Sequence, residues 1–311
     1  MASDLAVLDG RRAVTSAARR RPLTARLAPY AFCLPAIAAV TGLVLYPIGQ
    51  VIVESFYDVN PTDHPGWRFT GLGNYSKAVG DGQVRSVLLR SLTWTVGSVA
   101  LQFAVALAAA LLVREVFGRA WLRAIFVIPW ATPVVVGALA WKLLYHPDYG
   151  LVNQLLSWIG LRDLQHAWLS DPHVAMGAVI VANVWRGFPF LMVMLLAGMA
   201  AIPDELYEAA NVDGANVVRR HLFITLPMLR PVILMSTLMA LIWTFNNFSL
   251  IYVMTGGGPA GSTDILTTFV YKNAFSDFDF GYASALSVAL FVILAAGSAL
   301  YIKAFGKEGL Q

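Results

Sequence analysis

Two clusters of polar side chains interrupt otherwise apolar stretches of the chain. In the first, Asn183 and Arg186 lie one helical turn apart beside Trp185, Gly187, Phe188 and Phe190, with Pro189 among them. The second comprises Trp243, Thr244, Asn246 and Asn247. Amides and aromatic rings together suit a sugar: hydroxyls take bidentate hydrogen bonds from an amide, and the ring's apolar face stacks on an aromatic. The guanidinium of Arg186 also suits an anionic solute such as a glycerol-phosphate ester. Polar groups at membrane depth are costly and therefore functional suspects, while Asn and Thr there also serve simply to bond a neighbouring helix.

Catalytic chemistry finds less support. The five histidines (His64, His146, His166, His173 and His221) are scattered, Cys33 is alone, and neither HExxH nor CxxC spacing occurs. No GxxxxGK[ST] string is present, so ATP must be bound elsewhere. A membrane-embedded enzyme would need a catalytic or metal set that these residues do not form. A secondary transporter or channel would need ion-coupling carboxylates within its spans, where Glu54 at a span end is the one candidate.

A third segment, residues 203–231, is polar and patterned differently. Pro203 and Asp204 are helix-start signals, and Glu205 and Glu208 favour the positive end of a helix dipole. Ala209 and Ala210 leave one face small, and Gly214 permits a turn or close packing by another surface. An apolar and basic stretch then leads to Pro227. The pattern predicts a short helix-turn-helix, shaped to enter a partner's groove or to lie as an ordinary interfacial helix.

The elements that carry these residues follow from hydropathy. Of 311 residues, 58% are hydrophobic and 13% charged, with a mean hydropathy of +0.65; a soluble domain carries about 25% charged residues. Six segments are long and apolar enough to span a bilayer: about 29–53, 87–113, 124–145, 174–200, 232–254 and 282–303. Their prolines (Pro35, Pro47, Pro129, Pro133, Pro189) are tolerated where neighbouring helices satisfy the freed backbone. The expected fold is an all-α polytopic bundle of six spans. It divides into an Arg-rich tail at 1–28, a six-span domain at 29–303 and a short tail at 304–311. The run after the tail is too long for a secretory signal and reads as a retained first span.

Orientation follows from Lys and Arg. With the N-terminus inside, fourteen of 22 basic residues fall in inside segments and five in outside loops, so both termini are expected in the cytoplasm. The pI of about 9.2 then reflects topology rather than nucleic-acid binding. The outside loops, with their turn residues and Tyr149, Trp158 and Trp168, read as folded surface, those three aromatics serving as interface anchors.

In the 203–231 segment, Glu208-Ala209-Ala210, Gly214, Ile224, Leu226 and Pro227 match the EAA signature of ATP-binding-cassette importer permeases. Phe245-Asn246-Asn247-Phe248, Thr255-Gly256-Gly257-Gly258-Pro259, Gly71-Leu72-Gly73-Asn74-Tyr75 and Asn183-Val184-Trp185-Arg186-Gly187-Phe188-Pro189 extend the resemblance. Together they cover the chain from about residue 30 onward. The chain resembles the larger permease subunit of maltose-type carbohydrate importers, in the form of the smaller six-span members. The resemblance implies a non-catalytic permease of a bacterial inner membrane, moving a sugar or oligosaccharide by alternating access. Its implied partners are a second homologous permease, two copies of a cytoplasmic ATPase that bind ATP and Mg, an extracytoplasmic binding protein, and lipid. It implies that Asn183, Arg186, Gly187, Phe190, Trp243, Thr244 and Asn247 face the solute, and that Glu208, Ala209, Ala210, Asp213 and Gly214 meet the ATPase. Arg186 stands where that family has an aliphatic residue and Thr244 where it has an amide, which leaves the solute's identity open.

Overall fold

The computed structural model describes residues 23–114 and 120–309; the Arg-rich tail up to residue 22, Arg119 and the last two residues lie outside the described residues. The chain divides into two units, residues 1–50 and 51–311. The first holds helix α1 (Leu23–Val40), one π turn at Thr41–Leu45 and the start of α2 (Tyr46–Glu54), whose last four residues belong to the second. Residues 32–49 are all exposed. So apolar a surface needs lipid or protein to cover it.

The second unit is helical apart from a two-residue hairpin, β1 (Tyr57–Asp58) with β2 (Arg68–Phe69), paired antiparallel. Short α3 (Gly73–Gly80) leads into long α4 (Gly82–Leu112), whose first turn Asp81 caps by accepting from the amide of Gln83 at 2.7 Å. Then come α5 (Ala120–Ala131), α6 (Val134–Leu144), the loop helix α7 (Leu151–Trp158) and α8 (Ala175–Ala200). The segment after α8 folds as α9 (Asp204–Val212), α10 (Val217–Arg220), a π turn and α11 (Leu226–Met228). It leads into α12 (Arg230–Phe245), α13 (Phe248–Met254), α14 (Leu266–Phe275) and α15 (Phe280–Gly309).

Four described helical stretches are long and apolar enough to cross a membrane: Phe32–Glu54, Gly82–Leu112, Ala175–Ala200 and Phe280–Phe305. The third and fifth expected spans are not single helices. Ala124–Ala131 and Val134–Leu144 meet at 99°. Pro133 has no amide hydrogen to donate and drives Thr132 away from helical backbone, so the chain turns there. Pro129, inside α5, does not break it. In the fifth segment α12 ends at Phe245, where Asn246 and Asn247 leave helical geometry. Asn247 then restarts the helix by accepting from the amide of Leu250 at 3.4 Å, while the Asn246 amide donates back to the carbonyl of Ile242 at 3.0 Å. Asn competes with helical hydrogen bonding in this way. A second bend, of 70°, separates Val217–Met228 from Arg230–Phe245.

The core forms where α4, α8 and α12 meet. Ala106, Ala109 and Ala110 of α4 are buried beside Leu191, Met192, Leu195 and Met199 of α8 and Ala240 of α12. Small residues let helices approach closely, the arrangement that packing without a hydrophobic drive favours in lipid. Trp94 is fully buried and donates its indole N–H to the carbonyl of Thr244 at 2.9 Å, tying α4 to the end of α12.

Interhelix loops are folded, as their residue pattern suggests. Asn74 donates to the carbonyls of Ser55 and Tyr57, at 3.1 and 2.8 Å. Tyr282 of α15 donates its hydroxyl to Asp81 at 3.0 Å, and Lys77 pairs with Asp279 at 2.8 Å while lying over the Tyr282 ring. Trp168 departs from its expected role as an interface anchor: it is half-buried against Tyr145 and donates to the side-chain oxygen of Asn153 at 2.7 Å. Trp158 and Tyr149 are exposed.

Gly281 is the tightest joint of the first loop against α15, since a Cβ there would lie 2.1 Å from the carbonyl oxygen of Tyr57. Backbone on both sides leaves no cheap relief. Gly281→Ala is expected to cost about 1–3 kcal/mol, read as a lowered melting temperature of the detergent-purified protein.

Candidate functional site

A cavity of about 270 Å³ opens midway along α8. All seven residues expected to face a solute line it: Asn183, Arg186, Gly187 and Phe190 from α8, Trp243 and Thr244 from α12, and Asn247 from the break after α12. Gln102 of α4, Trp130 of α5, Ala240 and Asn246 complete the wall.

The polar groups form a short chain of bonds. Gln102 donates its amide to the backbone carbonyl of Asn183 at 3.1 Å, and Asn247 donates to the side-chain oxygen of Asn183 at 3.2 Å. Gly187 makes room for the first bond, because a Cβ there would come within 2.3 Å of the Gln102 amide nitrogen. Two donors remain unspent. The Asn183 amide nitrogen and the Arg186 Nε are both buried without a hydrogen-bond partner among the described residues. Phe190 stands between two indoles, its centroid 4.9 Å from Trp243 and 6.4 Å from the near-parallel ring of Trp130. The site thus joins an aromatic wall to a donor-rich wall.

Gln102, Trp130 and Ala240 were not singled out from the sequence, and Asn246 was noted only as polar. Gln102 carried the same signal as Asn183, a lone amide in an apolar run. Trp130 owes its place to the turn at Pro133. Asn247 does more than border the cavity, because both ends of its amide are committed to Asn183 and Leu250.

The segment between α8 and α12 presents a second surface. Helix α9 ends in a Schellman motif: the amide of Ala215 bonds the carbonyl of Ala210 at 2.9 Å and that of Gly214 bonds Asn211 at 3.1 Å. Gly214 has φ +71°, the left-handed conformation this cap requires, and a Cβ there would meet nothing within 4 Å. Glycine therefore serves the turn, with no close approach from within this chain. Glu208, Ala209, Asp213 and Gly214 are exposed and Ala210 is half-buried. Beside them Val212, Val218 and Phe223 are exposed apolar side chains, at 89%, 63% and 76%. The Tyr207 ring anchors α9 from below, with Arg114 stacked on it at 4.5 Å and donating to its hydroxyl, which also bonds the Thr225 hydroxyl at 2.9 Å.

Among the described residues no group of three or more His, Cys, Asp or Glu side chains is placed to hold a metal.

A multi-helix bundle with long apolar helices, two broken ones and a polar cavity between them defines a polytopic membrane protein of the transport type. The chain belongs to the family of binding-protein-dependent transport system inner membrane components, whose profile matches residues 102–303. It is 36% identical over 276 residues to the trehalose/maltose transport system permease protein of Thermococcus litoralis, covering 88% of this chain and 92% of that one. It is 32% identical over 279 residues to the sulfoquinovosyl glycerol transport system permease protein of Agrobacterium fabrum, covering 89% and 90%. Its fold is shared with a chain of the crystal structure of a bacterial alginate ABC transporter in complex with alginate pentasaccharide-bound periplasmic protein. That match has a TM-score of 0.79 at 22% identity and covers 94% of this chain and 99% of the other. The protein is thus a multi-pass inner-membrane permease component of an ABC transporter, a non-catalytic subunit whose ATPase is a separate chain.

The Gly187–Gln102 contact generates a test. Gly187→Ala is expected to push the Gln102 amide off the Asn183 carbonyl, at about 0.6 kcal/mol for the lost bond, and to reduce transport. Adding Gln102→Ala to Gly187→Ala relieves the clash, so the double variant should melt no lower than Gln102→Ala alone.

Proposed function

We propose that the chain is one of two permeases of an ATP-driven importer for a sugar or oligosaccharide. One observation carries this reading: side chains from three separate elements, α8, α12 and the break after it, converge on one cavity that pairs amides with aromatic rings. That pairing suits a saccharide, whose ring has polar edges and an apolar face. The trehalose/maltose and sulfoquinovosyl glycerol permeases among its relatives support the same class of solute.

In this reading the segments 29–303 form six spans with both termini cytoplasmic, two of the spans being broken helices. The ends 1–28 and 304–311 are cytoplasmic tails. The cavity is half of a midmembrane path completed by a second homologous permease, and alternating access comes from rocking of the two bundles about it. A binding protein delivers the solute from outside. Two copies of an ATPase subunit, which hold ATP and Mg, receive α9 in a groove. The exposed Glu208, Ala209, Ala210, Asp213 and Gly214, with the apolar Val212 beside them, supply that contact.

Uptake of labelled saccharide by the assembled importer tests the cavity. Trp243→Ala removes half of the Phe190–Trp243 pair without touching the helix break, and is expected to lower uptake at least tenfold, about 1.4 kcal/mol. Uptake equal to wild type in that variant would remove the ring from the site.

The coupling contact has its own readout. Gly214→Val places a β-branched residue in left-handed backbone at the end of α9, at a cost of about 1–3 kcal/mol. The variant should insert in the membrane yet lose ATP-driven uptake and fail to retain the ATPase on purification. An importer that keeps both would defeat the assignment.

A further inference from the structure

We infer that the solute carries an anionic group on a saccharide ring, and that Arg186 is the residue that recognises it. The inference rests on the reading that the cavity takes a saccharide, and adds the charge of that saccharide.

The observations are of three kinds. Arg186 is half-buried midway along α8, and its side chain makes no hydrogen bond or ion pair with the described residues; its Nε is shielded from solvent. Among the described residues that line the cavity there is no Asp or Glu to neutralise it. One turn earlier, Asn183 is 3% exposed and its amide nitrogen also lacks an acceptor, while its side-chain and backbone oxygens accept from Asn247 and Gln102.

The wall therefore offers two unpaired donors, one of them on a positive charge, and no carboxylate among its described residues. A neutral hydroxyl brings a donor as well as an acceptor and leaves the charge unpaired, which is the costly arrangement at membrane depth. A carboxylate, sulfonate or phosphate brings acceptors alone, and a guanidinium meets such a group with two parallel bonds. The aromatic side of the cavity narrows the choice further. Phe190 between Trp130 and Trp243 gives an apolar platform, which a pyranose ring covers and a three-carbon phosphate ester does not.

The test uses the complete importer, with its binding protein, in proteoliposomes. ATP-driven uptake is measured for trehalose, a digalacturonate, a sulfonated hexoside, a hexose phosphate and glycerol 3-phosphate. The binding protein's affinity for each is measured alongside, separating delivery from translocation. We expect at least one acidic saccharide to be carried, at least tenfold less well in Arg186→Gln and partly restored in Arg186→Lys. Asn183→Asp, which sets a carboxylate beside the guanidinium, should depress uptake of the acidic saccharide more than any residual uptake of a neutral one, and serves if Arg186→Gln fails to assemble. Transport confined to neutral saccharides overturns the inference and leaves the saccharide reading intact. So does acidic uptake that neither substitution changes. Transport of glycerol 3-phosphate alone, or of no saccharide, removes the saccharide reading and the inference with it.

Discussion

In hydrocarbon a backbone N–H or C=O has no water to turn to, so a helix can be interrupted only where protein satisfies the freed groups or where they line a cavity. Two of the interruptions among the described helices, apart from the 70° bend after Met228, obey that constraint at one place. One falls at Thr132–Pro133 and the other at Asn246–Asn247, and residues at both, Trp130 beside the first and the two asparagines of the second, line the same cavity. Around the second break the freed groups are taken up locally, by the Asn247 side chain on the amide of Leu250 and by the indole of Trp94 on the carbonyl of Thr244. The breaks and the cavity are one feature, since each provides the surroundings the other needs.

Close helix packing then sets how polar the cavity can be. The alanines of α4 bring it against α8, and Gly187 lets the Gln102 amide cross between them to the Asn183 carbonyl. Bonds of this kind at membrane depth average about 0.6 kcal/mol. They do little for stability as a sum, and their larger effect is on orientation. Gln102 and Asn247 each donate to an oxygen of Asn183, whose buried nitrogen has no partner among the described residues.

Much of this architecture is legible in the residues. The stretches 87–113, 174–200 and 282–303 read directly as helices because each is predominantly apolar over a bilayer's thickness, with only isolated polar residues such as Gln102 and Asn183. The breaks were not legible, for a physical reason. Pro129 and Pro133 look alike in sequence, yet α5 runs through the first and the chain turns at the second; which proline breaks a helix depends on what surrounds it in three dimensions. Asn246 and Asn247 read as polar side chains within a span, and nothing in hydropathy says that the backbone itself stops there. The seven cavity residues could be grouped because their types match a known family, whereas Gln102, on a different helix and in none of the motifs that carry that resemblance, could not. The role of Trp168 failed on the same ground: an aromatic at a span end is a membrane anchor by composition and a loop core by contact.

The same three helices explain how a contact at α9 can be felt in the cavity. Tyr207 of α9 is held by Arg114 beyond the end of α4 and by Thr225 at the foot of α12. Near the end of α8, Gly198 lies so close to Leu229 and Val232 that a Cβ would meet them at 2.6 and 3.0 Å. From Arg114 to Gln102, and again from Gly198 to Arg186, is twelve residues of helix, about 18 Å at 1.5 Å per residue. Two neighbouring walls of the cavity, joined by the Gln102–Asn183 bond, therefore sit on levers of equal length, clamped together at one end. Under the proposed coupling to an ATPase, displacement of α9 cannot tilt one lever without carrying the other, because packed helices shift between discrete arrangements rather than deform. What changes is then the alignment of this half of the cavity with its counterpart on the second permease.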